Sequence, residues 1–242
     1  LPDFFSPEER ENRDKTILDW IEKKYPMVFS SESVRTDFSR FFPAHKNETF
    51  VLNFAVFHPD YSSEIISDLT QRYKLKPKFI YSPNQFWKHK NHATVIEAVA
   101  LLSKEGMKDL QVVFSGNEHD YRFPGYVDIL KARVKELDLT DQVLFLGFLK
   151  REEQLCIMKN AHAILQPSLF EGWSTVVEDA KALGKFVIAS DLAVHKEQMI
   201  GNACFFDPAS IEHCARFLKE VYEKPMSKDF GWNGHGGFGQ HR

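Results

Sequence analysis

The sequence predicts an α/β fold, a doubly wound parallel sheet of the Rossmann-like kind, and three observations carry that prediction. From Phe79 onward, short apolar strands alternate with amphipathic helices. The strands are unbroken apolar runs, as expected when both faces of a sheet are covered. The connections hold helices with recognisable starts and stops, the mark of βαβ crossovers.

The elements follow in order. Ser6-Pro7-Glu8-Glu9 is a capping box with proline in the first turn, so a helix runs from there to about Tyr25. Met27–Phe29 is a short strand. A helix over about 32–42 carries Val34, Phe38 and Phe41 on one face, and Phe50–Val56 is a β-branched and aromatic strand. Residues 57–77 form a connection with a short helix near 64–73. Then come a strand at 79–81 and a helix over 91–105, with Val95, Ile96, Val99 and Leu102 at helical spacing and Gly106 as its stop. A strand at 111–114 precedes a helix marked by Val127, Leu130, Val134 and Leu137. Strands at 143–146, 163–166, 186–189 and 204–206 alternate with helices at 152–160 and 174–183, a short one after Val194, and one over 209–222. About six strands from Phe79 make one complete doubly wound domain at 78–223. Residues 1–56 read as the C-terminal remnant of a second such domain, with 57–77 as the connection. The chain opens on Leu1 directly before a strong helix start, so we expect the beginning of a longer protein to be missing.

The tail 224–242 lacks apolar periodicity and is expected to be disordered. Its Gly234, Gly236 and Gly239 form a nominal G-x-G-x-x-G, but no strand precedes it and no helix follows. A dinucleotide-dependent dehydrogenase is therefore disfavoured.

Composition narrows the function classes. With 242 residues, 43% hydrophobic, and a formal net charge of −3, the chain can bury a sizeable core but has no basic excess for nucleic acid. Cys156, Cys204 and Cys214 never pair as C-x-x-C, so neither a disulfide framework nor a zinc site is expected, and a reducing, cytoplasmic setting is. His89 and His92 stand three apart without a third ligand beside them, so no metal site is assigned.

In parallel sheets of this kind, ligands sit beyond the carboxyl ends of the strands. The most informative such loop is Pro167–Ala180. Here a strand end is followed by Glu171 and Gly172, then by a helix starting near Ser174. Free amides and the helix dipole favour a phosphate there, and Gly172 allows close backbone approach. Ser174 and Thr175 supply a cap or further donors. Glu171 and Glu178 could accept hydrogen bonds from sugar hydroxyls. Taken from spacing alone, they are equally well ordinary charges at a helix N-terminus. Lys88 and Lys90 likewise read as a solvated basic turn.

This loop resembles the signature of the family 4 retaining glycosyltransferases, E-x7-E followed by a small-residue helix and an apolar strand. Glu171-Gly172-Trp173 opens it, Glu178-Asp179-Ala180 closes it, and Lys185–Asp191 supplies the strand. Six residues separate Glu171 from Glu178 where the family has seven. Tyr81–His92 resembles the family's first donor-domain loop, with Lys90 at its lysine and Gln85 where an arginine usually stands. Val112–Asn117, ending on Gly116, and Val143–Leu149 resemble two further donor-side loops. The likeness covers about 79–208 well, and residues 30–55 resemble the end of such an enzyme's first domain.

The resemblance implies a GT-B fold and a retaining sugar transfer from a nucleotide-sugar, GDP-mannose or a UDP-sugar, to a glycan or lipid-linked acceptor. It implies no metal and no cofactor. Glu171 and Lys90 would be catalytic. Glu178, Gly172, Trp173, Ser174, Thr175, Gln85, Gly116, Phe148 and Leu149 would bind the donor. A cytoplasmic place at the inner membrane face follows from the same family. A non-catalytic nucleotide-sugar-binding module and a sugar-nucleotide epimerase of the same architecture remain as alternatives.

Overall fold

The computed structural model describes residues 4–58 and 64–225, with 64 and 65 by backbone alone. The glycine-rich stretch Gly231–Gly239 lies outside the described residues. The chain begins with α1 (Pro7–Glu22), β1 (Met27–Phe29), α2 (Glu32–Phe41) and β2 (Thr49–Val51). The capping box forms: Ser6 Oγ accepts from the Glu9 amide while the Glu9 carboxylate accepts from the Ser6 amide. β1 and β2 pair in parallel as a two-stranded sheet.

The strand read at Phe50–Val56 is shorter than its composition predicts. Ser31 caps α2 only two residues beyond Phe29, so β1 offers no partner past the Leu52 amide, which bonds the Phe29 carbonyl. Leu52 and Phe54 consequently stay exposed.

After α3 (Glu64–Tyr73) the regular alternation begins. It comprises β3 (Ile80–Pro83), α4 (His92–Lys104), β4 (Val112–Ser115), α5 (Tyr126–Glu136), β5 (Val143–Phe145), α6 (Arg151–Asn160), β6 (Ala163–Gln166), α7 (Thr175–Ala182), β7 (Val187–Ser190), α8 (Ala193–Gln198), β8 (Ala203–Phe206) and α9 (Ile211–Glu223). The six strands lie in the order β5-β4-β3-β6-β7-β8, all parallel. Strand order therefore reverses between β3 and β6, and that switch point is where such a sheet opens a crevice for a ligand.

Alternate strand residues serve two cores. Ile80, Val112, Phe114, Leu165 and Ile188 pack toward α4, α5 and α9. Tyr81, Val113, Ile164, Val187 and Ala189 pack toward α3, α6 and α7. Both faces being buried explains why the strands read as continuous apolar runs.

The first segment is tied to the large sheet by specific bonds. Glu197 on α8 accepts from the amides of Glu32 and Ser33, at 2.8 and 3.1 Å, and so caps α2 from across the molecule. Ser30 Oγ donates to the Gly172 carbonyl at 3.2 Å, and Trp173 Nε1 donates to the Phe54 carbonyl at 3.0 Å.

Candidate active site

The loops following β3 and β6 meet at the switch point because a left-handed residue locks one onto the other. Asn91 adopts φ 61° between a single 3-10 turn, Lys88–Lys90, and the start of α4. Its side-chain amide donates to the carbonyls of Pro167 and Pro208, at 3.1 and 2.9 Å. One residue pair away, the Leu169 amide donates to the His89 carbonyl. This lacing sets Lys90 against Glu171, with Nζ 2.6 Å from Oε1 and side chains only 15% and 9% exposed. Gln166 Nε2 and Ser168 Oγ donate to the same Oε1, each at 2.7 Å. Three donors on one oxygen fix the carboxylate in a largely buried place.

In front of Lys90 lies a cavity of about 400 Å³, walled by Pro83–Gln85 and Trp87, by Ser115–Asn117, by Phe148, Leu149, Arg151 and Gln154, and by Thr175, Val176 and Asp179. Its size suits a nucleotide-sized ligand. Gly116 is required by the wall itself, since a Cβ there would lie 2.2 Å from the Asn84 carbonyl oxygen. At the start of α7, the Ser174 amide is taken by Gln198 Oε1 and the Val177 amide by Ser174 Oγ. The two remaining first-turn amides belong to Thr175 and Val176, both on the cavity wall.

The sequence-predicted residues divide clearly. Gln85, Lys90, Gly116, Phe148, Leu149 and Thr175 line the cavity. Glu171 stands behind Lys90 as its partner. Gly172 and Trp173 face the first segment through Ser30 and Phe54, and Ser174 is engaged with Gln198. Glu178 points away: it is held by Lys181 at 3.0 Å and by Gln198 Nε2 at 3.1 Å.

The acid that faces the cavity is Asp179, and it lies at the seven-residue spacing from Glu171. Counting from Glu171 rather than matching residue type would have found it. Arg151 grips it with two nitrogens, at 2.5 and 2.7 Å. His58 Nε2, from the connection, stands 3.0 Å from Oδ1. Neither Arg151 nor His58 carries a sequence signal, because each acquires its place only through the fold.

Two buried histidines flank the lysine. His92 is stacked on Phe86 and edge-on to Phe114, and His89 packs against Trp87. Burial, reinforced by the Lys90 charge, pushes the titration of His92 down to about 3 and of His89 to about 4. The unfolded chain takes up these protons near pH 6.5, whereas the folded chain refuses them until near pH 4 and below. Their stabilising effect is thus complete above about pH 6.5 and drains as pH falls through that window. Melting temperature should drop progressively from pH 6.5 toward 4.5, and His92→Phe should flatten the slope. A slope unchanged in that variant would show that other groups govern acid unfolding.

Among the described residues no helix is long and apolar enough to cross a membrane. Comparison with known proteins agrees with the fold. The chain is 33% identical over 129 residues to a Campylobacter jejuni N-acetylgalactosamine-N,N'-diacetylbacillosaminyl-diphospho-undecaprenol 4-alpha-N-acetylgalactosaminyltransferase, covering 53% of this chain and 32% of that protein. It is 26% identical over 165 residues to the O-antigen chain mannosyltransferase RfbU of Salmonella typhimurium, covering 68% and 44%. The chain thus spans less than half the length of either relative. Among solved structures it resembles a glycosyltransferase from Rickettsia africae, with TM-score 0.72, 18% identity, and coverage of 83% of this chain and 54% of that one. It also resembles Anabaena HepE in complex with UDP and glucose, with TM-score 0.68, 19% identity, and coverage of 81% and 53%. These likenesses establish a GT-B fold, to which the six-stranded parallel sheet belongs. The profile of glycosyl transferases group 1 matches residues 68–235, well over half of the chain, and the protein belongs to that family.

Proposed function

We propose that this chain is the donor-binding part of a family 4 enzyme that transfers a sugar, with retention of configuration, from a nucleoside-diphosphate sugar to a glycan or lipid-linked acceptor. The observation that carries the reading is the Lys90–Glu171 pair at the switch point, beside a cavity walled by the first-turn amides of α7. The diphosphate lies against Lys90 and the Thr175 and Val176 amides. Lys90 neutralises the charge that grows on the leaving oxygen as the sugar–phosphate bond breaks. As the phosphate draws Lys90 forward, Glu171 becomes an acceptor for donor-sugar hydroxyls. Asp179, oriented by Arg151, accepts from the ribose hydroxyls, while Phe148 and Leu149 border the base.

On this reading residues 1–56 belong to the acceptor-side unit and 57–77 connect it to the donor-side one. The enzyme works at the cytoplasmic membrane face. The mannosyltransferase among its relatives favours a GDP-linked donor, and the UDP-bound structural neighbour keeps UDP-sugars in play.

Thermal unfolding with GDP, UDP, ADP and the matching nucleotide-sugars tests this. A ligand at about 100 times its Kd adds roughly 2.7 kcal/mol, so one base should raise the melting temperature above the others. A cooperatively melting chain that responds to none of them would defeat the proposal. With the complete protein, the anomeric coupling in the product reports retention.

A further inference from the structure

A second cavity, of about 670 Å³, opens between the start of α1 and the loop after β4. It is lined by Phe4, Phe5, Ser6, Glu8, Glu9, Asn12, Tyr121, Arg122 and Phe123. It adjoins the donor cavity through one side chain: the Arg122 guanidinium lies 4.8 Å from the ring centroid of Trp87, which walls the first cavity. Phe4 on the same side meets His89, the neighbour of Lys90, edge-on.

The lining identifies the class of ligand. Four of the nine residues are aromatic, and Tyr121 presents its ring to solvent at 66% exposure. A pyranose offers a patch of C–H on its face and hydroxyls around its rim. Rings cover the former, while carboxylates and amides bond the latter. Glu8 and Glu9 in the first turn of α1 and Asn12 one turn on supply such groups, and Glu9 is already oriented by the Tyr121 hydroxyl at 2.5 Å.

Charge excludes the obvious competitor. Among the described residues the lining's one cation, Arg122, is neutralised by buried Asp120 at 3.0 Å and packed among the rings of Phe5, Trp87 and Tyr121. Lys88, just outside, rests over Phe123. Glu8 and Glu9 at the surface of the cavity offset Arg13, which lies 4.1 Å over Phe5, and Lys88, so the site offers a phosphate no net positive charge. We infer that this cavity is a binding site for a neutral oligosaccharide. Its role as the seat of the acceptor glycan rests on the transferase reading above; its ligand class does not.

The test titrates the full chain, by saturation-transfer NMR and calorimetry, with α-linked mannobiose, mannotriose and diacetylchitobiose, and with pyrophosphate as the anionic probe. At least one neutral saccharide should bind. Tyr121→Ala and Glu8→Ala, both at exposed positions that the fold tolerates, should each weaken it about tenfold. Asp179→Ala should leave saccharide binding intact. Nucleotide titrations on the same samples separate the two proposals. Saccharide binding without nucleotide binding would uphold this site and sink the donor reading. Nucleotide binding with no saccharide, or saccharide binding indifferent to both Tyr121→Ala and Glu8→Ala, would overturn this one. So would pyrophosphate binding that Tyr121→Ala abolishes.

Discussion

Replacing Lys90 with alanine is expected to lower stability by about 2–4 kcal/mol and to weaken nucleoside-diphosphate binding about ten- to hundredfold. The first effect comes from Glu171, whose carboxylate loses its cation in a site where its side chain is only 9% exposed. Removing one member of a buried pair typically costs about 3–5 kcal/mol. The bonds from Gln166 and Ser168 remain and moderate the loss. The second effect comes from removing a charge-assisted contact to phosphate, worth about 1.5–3 kcal/mol. The double variant Lys90→Met/Glu171→Gln separates them. It should recover most of the stability, since no charge is stranded, yet bind nucleotide no better than the single one. Denaturant unfolding and calorimetric titration of the three proteins decide the matter. Undiminished nucleotide binding by Lys90→Ala would reduce the lysine to a structural partner of Glu171.

The second large effect concerns two neighbouring acids. Asp179→Ala should weaken nucleotide binding about tenfold or more, whereas Glu178→Ala should change it less than about threefold and instead cost about 1–2 kcal/mol of stability. Successive residues on a helix point about 100° apart. Asp179 therefore faces the cavity and Arg151, while Glu178 faces Gln198 and Lys181. Loss of Glu178 removes an acceptor from Gln198 in a dry environment, the usual origin of such a penalty. Comparable nucleotide affinities in the two variants would mean that Asp179 only anchors Arg151.

That pair also shows where the sequence stops being legible. The order of strands and helices from β3 to α9 could be read residue by residue, because burial on both faces writes itself as apolar runs and helices announce their ends with Ser174, Gly106 and similar signals. Tertiary limits on an element could not. Phe50–Val56 has the composition of a long strand, but pairing stops where Ser31 turns β1 into α2. The loops bearing Lys90 and Glu171 could be placed at strand ends. Their juxtaposition depends on Asn91 reaching Pro167 and Pro208, and spacing along the chain does not encode it. His58, Arg151 and Gln198 were invisible for the same reason: each is an unremarkable polar residue until the fold delivers it to Asp179 or Glu178.

The two bonds that Gly172 and Trp173 make to Ser30 and Phe54 have a mechanical consequence. One holds the Gly172 carbonyl and the other the Trp173 indole, on the two residues directly after Glu171, so a hinge movement of the first segment relative to the large sheet would pull on the loop that carries the carboxylate holding Lys90. Ligand affinity and hinge position are then linked quantities, and linkage runs both ways. The factor by which a docked first segment tightens the grip on a donor is the factor by which a bound donor resists the segment's departure.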